Sequence, residues 1–430
     1  MINTVKTKFL VLYRRLISSI AFYPSMIMLS FLIASMVMIS FEDNKTTQWL
    51  IDKAPYLVIN NADTARSMLS TMIGGLISLM VFSFSMVMMI LNQASSNFSP
   101  RLLPGLVSDK RNQIVLGAYL GSIVYNIIVL MSVLPEGNKY TLNGFSILIG
   151  MVMAISCLGA FIYFIHTISS GIQINNILEG IFNTTKNKLE QLLEEESKDP
   201  NIPDINEDDW TYIRSVDAGY YQGVDLKGLL EFCQDKKVNI KVIPHKGEYL
   251  LPNVDLFAVD KSIKEEDRSD LRSNFLFSDN RDIAENYSLG IKQITEVGIK
   301  AMSPGINDPG TAVMTIDYLT ELLALRMQID QIEVYYSDDN TYSLQLQTES
   351  FKSMLYYMLA AYRQYCKHDI ILMEKIVLML KYLLDQKANT QQYYVIIKDQ
   401  LKVIKEDIDS YISNSTDKKR LSSLIEQCIS

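Results

Sequence analysis

The chain has 430 residues, of which 48% are apolar and 20% charged, and its net charge is −8. It is long enough for two or three domains and too oily, taken together with its slightly positive mean hydropathy, for an ordinary soluble protein. Nothing in it is basic enough for a nucleic-acid footprint, so no nucleic acid is expected as a partner. The apolar content is uneven: the uncharged part lies before residue 170 and most of the acids lie after it. That split predicts a membrane half joined to an acidic half.

Four uncharged stretches are long enough to cross a bilayer, which takes about 20 helical residues. They are Leu16–Phe41, Met68–Leu91, Ile114–Leu134 and Leu142–Ile165. Lys6, Lys8, Arg14 and Arg15 lie in the basic segment 1–15 ahead of the first. That stretch is too long for a signal peptide and lacks a small-residue cleavage site, so it reads as a span. Arg101, Lys110 and Arg111 follow the second span, and Lys186 and Lys188 follow the fourth. With the N-terminal cluster they fall on one side. The connection 135–141 carries only Lys139; Lys45, Lys53 and Arg66 in the first connection are accompanied by acids. The expected topology has both termini in the cytoplasm, residues 42–66 outside, and a multi-pass domain over 16–168.

The four cysteines, Cys157, Cys233, Cys366 and Cys428, have no C-x-x-C spacing. Neither a disulfide framework nor a cysteine zinc site is expected. Past the fourth span, Ile165, Ile168, Ile172, Leu178, Ile181, Leu189 and Leu192 keep a helical rhythm, which predicts a stalk of about 45 Å. The acidic run "EEESKDPNIPDINEDD" then reads as a linker, so 169–205 is stalk plus linker. Over 206–262 short runs such as "TYIRSV", "VNIKVIP" and "EYLLP" predict a small β-rich module. Residues 263–430 read as mainly helical, with one hairpin in which "IEVYY" and "YSLQLQ" flank "SDDNT". Near the end Ile397, Leu401, Ile404, Ile408 and Ile412 step by fours and threes, the mark of an amphipathic helix. The fold class that follows is a mainly α membrane protein: four transmembrane helices, then a cytoplasmic α+β domain.

One stretch in the helical region stands out, "KAMSPGINDPGTAV", Lys300 to Val313. A helix enters through Leu289, Ile291, Ile294, Val297 and Ile299, and Ser303-Pro304-Gly305 suits its exit. Asp308-Pro309 is a helix-start signature, the carboxylate capping free N–H groups and proline filling the first turn. Ser303, Asn307 and Asp308 stay candidates for holding a ligand, since amides at a helix start can bind an anion.

The segment "RDIAENYSLGIKQITEVGIKAMSPGINDPGTAV" resembles the signature of a bacterial family of predicted membrane proteins, domain of unknown function 2254. "LNQASSNFSPRLLPGLVSDKRNQIVLGAYLGSIVY" is similar to a second part of it, and "AGYYQGVDLKGLLEF" with "KGEYLLPNVDLFAV" to a third. The likeness runs from about residue 15 to 330. It departs at Gly310, where the family is often aromatic, and at Glu285-Asn286-Tyr287. The resemblance implies four spans, a cytoplasmic domain and a place in the bacterial cytoplasmic membrane; it implies no activity.

A function must therefore come from the residues. Along the second span Ser67, Thr71, Gly74, Ser78, Val81, Ser85, Met88, Asn92, Ser95 and Ser99 form one 3.5-residue stripe, eight of the ten being small or polar. Such a stripe either packs closely against a helix or faces water in a pore built from several copies. Arg101 at its end is either a mouth residue or a positive-inside anchor. Enzyme readings find little support: His166, His245 and His368 are scattered, and no phosphate loop or nucleophile elbow is present. No cofactor or metal is expected. Three readings stand: a homo-oligomeric channel passing an ion or small solute, a membrane-anchored sensor or scaffold, and a membrane enzyme acting at Asn307–Asp308. The spans lack carboxylates and lysines, which favours a passive pore over a proton-coupled transporter.

Overall fold

The computed structural model describes residues 21–41, 59, 61–97, 110–133, 144–171, 173–196, 210–277, 283–337 and 341–429. The chain forms two compact units that divide between Asn176 and Ile177. The basic segment 1–15, most of the first connection and the acidic linker lie outside the described residues.

The first unit holds α1 (Phe22–Phe41), α2 (Ala62–Asn97), α3 (Lys110–Ser132) and α4 (Gly144–Gly171). Among the described residues these are the four helices long and apolar enough to cross a membrane, the same four that the uncharged stretches mark. Asn61 opens α2 by accepting the Thr64 N–H at 2.9 Å. The α3 helix is the most buried of the four, and Gly117 and Gly121 on one of its faces explain why. A Cβ at Gly117 would meet Ile27 of α1 at 2.8 Å, and one at Gly121 would meet Phe31 at 2.7 Å. Two glycines four apart let the backbones close up where lipid provides no hydrophobic drive. On the opposite side Tyr119 donates to the Cys157 carbonyl at 3.2 Å, and Tyr125 to that of Ser146 at 3.2 Å. Arg66 sits in the first turns of α2, where its guanidinium donates to the Val133 carbonyl (3.1 Å) just past the end of α3.

The division falls in the first turn of α5 (Ile174–Glu196), and the rest of that helix belongs to the second unit. The expected stalk is helical here, yet it does not stand free: Leu178, Ile181, Phe182, Thr185, Leu189 and Leu192 are buried in this unit. Next come β1 (Thr211–Arg214), β2 (Gly219–Val224), α6 (Leu226–Lys236), β3 (Ile240–Val242), β4 (Tyr249–Leu250), β5 (Asp255–Val259), α7 (Glu265–Ser273) and β6 (Phe275–Phe277). The helical region follows with α8 (Tyr287–Ala301), α9 (Pro309–Arg326), β7 (Ile332–Tyr336), β8 (Ser343–Gln347), α10 (Phe351–Cys366), α11 (Ile370–Leu384), α12 (Gln392–Tyr411) and α13 (Ser415–Ile429). The acidic run at 264–270 is mostly the start of α7, with Glu265, Glu266 and Asp267 at the N-terminal end of the helix dipole.

The β-module and the late hairpin share one sheet, ordered β1-β5-β3-β8-β7. Strand β3 pairs parallel with β8, Lys241 opposite Gln345, while β5 lies antiparallel on the other side of β3. A smaller sheet runs β4-β2-β6. Val242, Phe257, Phe232 and Leu344 bury together between the larger sheet and α6. Side-chain contacts fix the directions of α5, α8, α9, α10 and α12 in the helical layer. Phe182 stacks on Tyr318 at 4.5 Å and Lys186 pairs with Glu321, so α5 and α9 run parallel. Gly290 lies against Thr185 and Gly298 against Thr315, so α8 runs the other way. Arg326 at the end of α9 reaches the Glu349 carbonyl while Thr315 bonds Tyr362, so α10 does too. Phe351 meets Tyr393 and His368 meets Tyr411, so α10 and α12 are parallel. The turns 302–308, 367–369 and 412–414 therefore emerge at the end of the layer where α5 begins.

Candidate functional site

The small and polar stripe of α2 turns outward. Ser67, Thr71, Gly74, Ser78, Ser85 and Asn92 are all exposed, as are Val81 and Met88 between them. The helix meets its neighbours instead through Ala62, Ala65, Leu69, Leu76 and Ser83. A Cβ placed on Gly74 or Gly75 would find no atom within 4 Å. Thr71 donates to the Ser67 carbonyl at 2.8 Å and Ser78 to that of Gly74 at 2.9 Å. Each hydroxyl proton is thus held within the helix, and the oxygen lone pairs point out. Among the described residues no helix packs on the stripe. The side chain of Ser95 and all of Ser99 and Arg101 lie outside the described residues.

The Lys300–Val313 stretch makes a rigid exposed corner. Asp308 is the N-cap of α9: its Oδ1 accepts the Thr311 N–H at 3.1 Å and its Oδ2 the Thr311 hydroxyl at 2.5 Å. The Ser303 carbonyl accepts the N–H groups of Ile306 and Asn307, each at 3.0 Å, and the Asp308 N–H returns to the Ala301 carbonyl at 2.7 Å. Asn307 has φ +49°, a left-handed angle that asparagine tolerates better than most residues. Both Asp308 carboxylate oxygens are engaged inside their own helix start, and a negative group stands where an anion would bind.

Three features escaped sequence reading. Arg326 is fully buried and donates to the Ile329 carbonyl (2.7 Å) and the Glu349 carbonyl (3.2 Å), joining the end of α9 to the start of α10. The Glu349 carboxylate accepts from Ser288 and from Lys292 (2.7 Å) on α8. Gly298 is the second: its missing Cβ leaves room for the Tyr362 and Thr315 hydroxyls, which bond each other at 2.8 Å. The third is the Gly117–Gly121 spacing, whose signal lay in "GAYLG" itself. Arg326 carried no signal, because a lone arginine near a helix end reads as solvated.

The remaining chemistry is sparse. Burial holds the Cys233 and Cys366 thiols up at about 12, where they are not nucleophiles at neutral pH. Beside His245, whose Nδ1 is 3.0 Å away, Glu248 is held below its ordinary value by that hydrogen bond. Among the described residues no group of three potential ligands could hold a metal.

Comparison with known proteins adds a family. The chain is similar to uncharacterized proteins of Mycobacterium tuberculosis and Mycobacterium bovis, 25% identical over 301 residues, which is 66% of this chain. It spans little more than half of those relatives, 56% of their length. No solved structure matches. The sequence profile described as predicted membrane protein, DUF2254, matches residues 17–382, and with its four spans and mixed C-terminal unit the chain belongs to that family.

Proposed function

We propose that this protein works as a homo-oligomeric, channel-like membrane protein in the bacterial cytoplasmic membrane, with the α2 stripe forming its shared surface and the C-terminal unit acting as a cytoplasmic regulatory domain. The observation that carries this reading is the outward run Ser67, Thr71, Gly74, Ser78, Ser85 and Asn92 on a spanning helix. A face turned to lipid gains nothing from small residues, whereas a second helix or a water column does. With no described helix of the same chain on the stripe, the partner that fits is another copy, and the solute that fits is an ion or small polar molecule.

Flux through protein reconstituted in liposomes tests the reading. Ser78→Leu or Ser85→Leu adds a hydrophobic constriction to a wet pore, and flux falls while assembly stays intact. If the stripe only packs copy against copy, the same changes weaken association, with no flux to lose. Wild-type protein that conducts nothing under any stimulus, on an intact oligomer, leaves the sensor or scaffold reading in its place. That alternative draws support from the C-terminal unit, which has a core of its own. An enzyme at Asn307–Asp308 draws none, because Asp308 is spent on its own cap.

A further inference from the structure

We infer that the outer face of α10 and α12 is a self-association surface, on which the C-terminal unit of a second copy of this chain docks. The inference needs neither a pore nor the α2 stripe, and it concerns the C-terminal unit alone.

Helix geometry builds the face. Phe351, Met354, Leu355, Met358 and Tyr362 of α10 are buried. A helix advances about 100° per residue, so Ser353, Tyr356, Tyr357, Ala360 and Gln364 fall on the opposite side. All five are uncharged, and the two tyrosines are 50% and 64% exposed, their rings edge to face at 5.6 Å. Outward helix faces usually carry charge, and tyrosine is enriched where proteins meet. Alongside, α12 buries Ile397, Leu401, Ile404 and Ile408 and exposes Val395, Asp399 and Glu406. Half-buried Ile396 and Val403 line the seam, on the side of α12 where Asp407 pairs with Arg363 of α10.

Exposure alone would not choose this face, since Val216 is 66% exposed on the turn after β1 and Ile371 65% on α11. Its charges do. The 16 residues of α10 include no carboxylate, and Lys352 stands near the start of the helix and Lys367 just past its end. The acids Asp399 and Glu406 lie on α12. Phe351 is level with Tyr393 and Lys367 with Tyr411, which sets the heights of the two parallel helices. A two-fold axis along the seam lays α10 of each copy on α12 of the other at the same heights. Asp399 of one copy then stands about one helical turn from Lys352 of the other, and Glu406 about one turn from Lys367. A lysine side chain spans that gap. Each contact occurs twice, as an isologous interface requires. The bond of Asp399 to its own Lys402 is an exposed one and costs little to exchange. On α11, by contrast, Glu374 and Lys375 beside the exposed Ile371 and Leu378 already pair with Arg420 and Asp317. The charges that would set a register there are spent inside the chain.

The test uses two differently tagged full-length proteins, both Cys428→Ser to remove the partly exposed thiol. One carries Ala360→Cys and the other Val403→Cys, so that only contact between copies joins them. They are co-expressed, and the membranes are oxidised mildly at a low protein-to-lipid ratio. A disulfide between the two tags is expected, at least several-fold above the yield when Leu378→Cys replaces Val403→Cys. Lys352→Glu in both chains should cut that yield several-fold, and Asp399→Lys added to the same chains should restore it. All of these positions are exposed or half-buried, and an unchanged melting temperature confirms that the fold is kept. A yield no higher than that of the Leu378→Cys control overturns the inference, as does a yield indifferent to the charge reversals. Particles that hold several copies without this disulfide refute the α10–α12 contact and leave the α2 surface standing.

Discussion

Two pairs of glycines in the membrane unit have opposite surroundings. On α3, Gly117 and Gly121 are pressed by Ile27 and Phe31 of α1, and a methyl group on either would collide. On α2, Gly74 and Gly75 meet nothing within 4 Å, and Ser67, Ser70, Thr71 and Ser78 around them are exposed as well. The α3 pair is already used inside the chain. By contrast the outward face of α4 carries Val152, Ile155, Leu158 and Ile162, side chains of the size that lipid tails accept. Small residues on a span are a feature of close approach, and on α2 none of the described residues supplies the approaching surface.

That contrast can be broken from either side. The largest effect is expected from a charge placed on each face. Ile155→Lys on α4 should cost roughly 2.5–3.5 kcal/mol on insertion. Ser85→Lys should be tolerated if α2 faces water. Folded yield in membranes reads the difference, and equal losses at both sites would erase the distinction. Next, Gly121→Ala forces a methyl into Phe31 and should lower stability by about 1–3 kcal/mol, whereas Gly75→Ala should not lower it at all. The same overpacking range applies to Gly298→Ala in the C-terminal unit, where the new methyl meets the Tyr362 and Thr315 hydroxyls. Thermal melts rank the three.

Smaller effects check the local accounting away from the spans. Asp308→Ala removes a cap and should cost about 1 kcal/mol, while Asp308→Asn, which caps comparably, should be nearly silent. An Asn variant that keeps its stability and loses function would make Asp308 a chemical residue. The smallest effect concerns Glu248, whose folded value lies below its ordinary 4.5. Its pairing with His245 therefore contributes stability that is complete above that range and is lost as the pH falls through the lower folded value. His245→Ala should flatten this part of the acid limb in melts run from pH 6 downward. An unchanged limb would mean the pair contributes nothing.

Much of this was legible in the sequence where a pattern is local. Charge-free length marked the four spans, Asp308-Pro309 announced a helix start, and Ile397, Leu401, Ile404 and Ile408 lie fully buried as their spacing implied. What stayed hidden depends on residues far apart. The β7–β8 hairpin joins the sheet through a parallel pairing with β3 about a hundred residues earlier, and no local pattern encodes it. The buried face of α5 was visible as a rhythm, but its partners on α8 and α9 were not. Arg326 is buried because the Ile329 and Glu349 carbonyls converge on it, a convergence that exists only in the fold. For the candidate site, the stripe was legible and its outward direction was not, since periodicity defines a face without saying what lies against it.

The most direct test of the central claim is the subunit count of wild-type and Gly74→Leu protein in nanodiscs, weighed particle by particle. Within one chain the leucine has open space and replaces a poor helix former, so the fold has no reason to suffer. The account predicts that wild-type particles hold several copies and that Gly74→Leu particles keep that count and their melting temperature, as a stripe lining a wet pore requires. Single-copy wild-type particles, or Gly74→Leu particles that fall toward single chains, would contradict it.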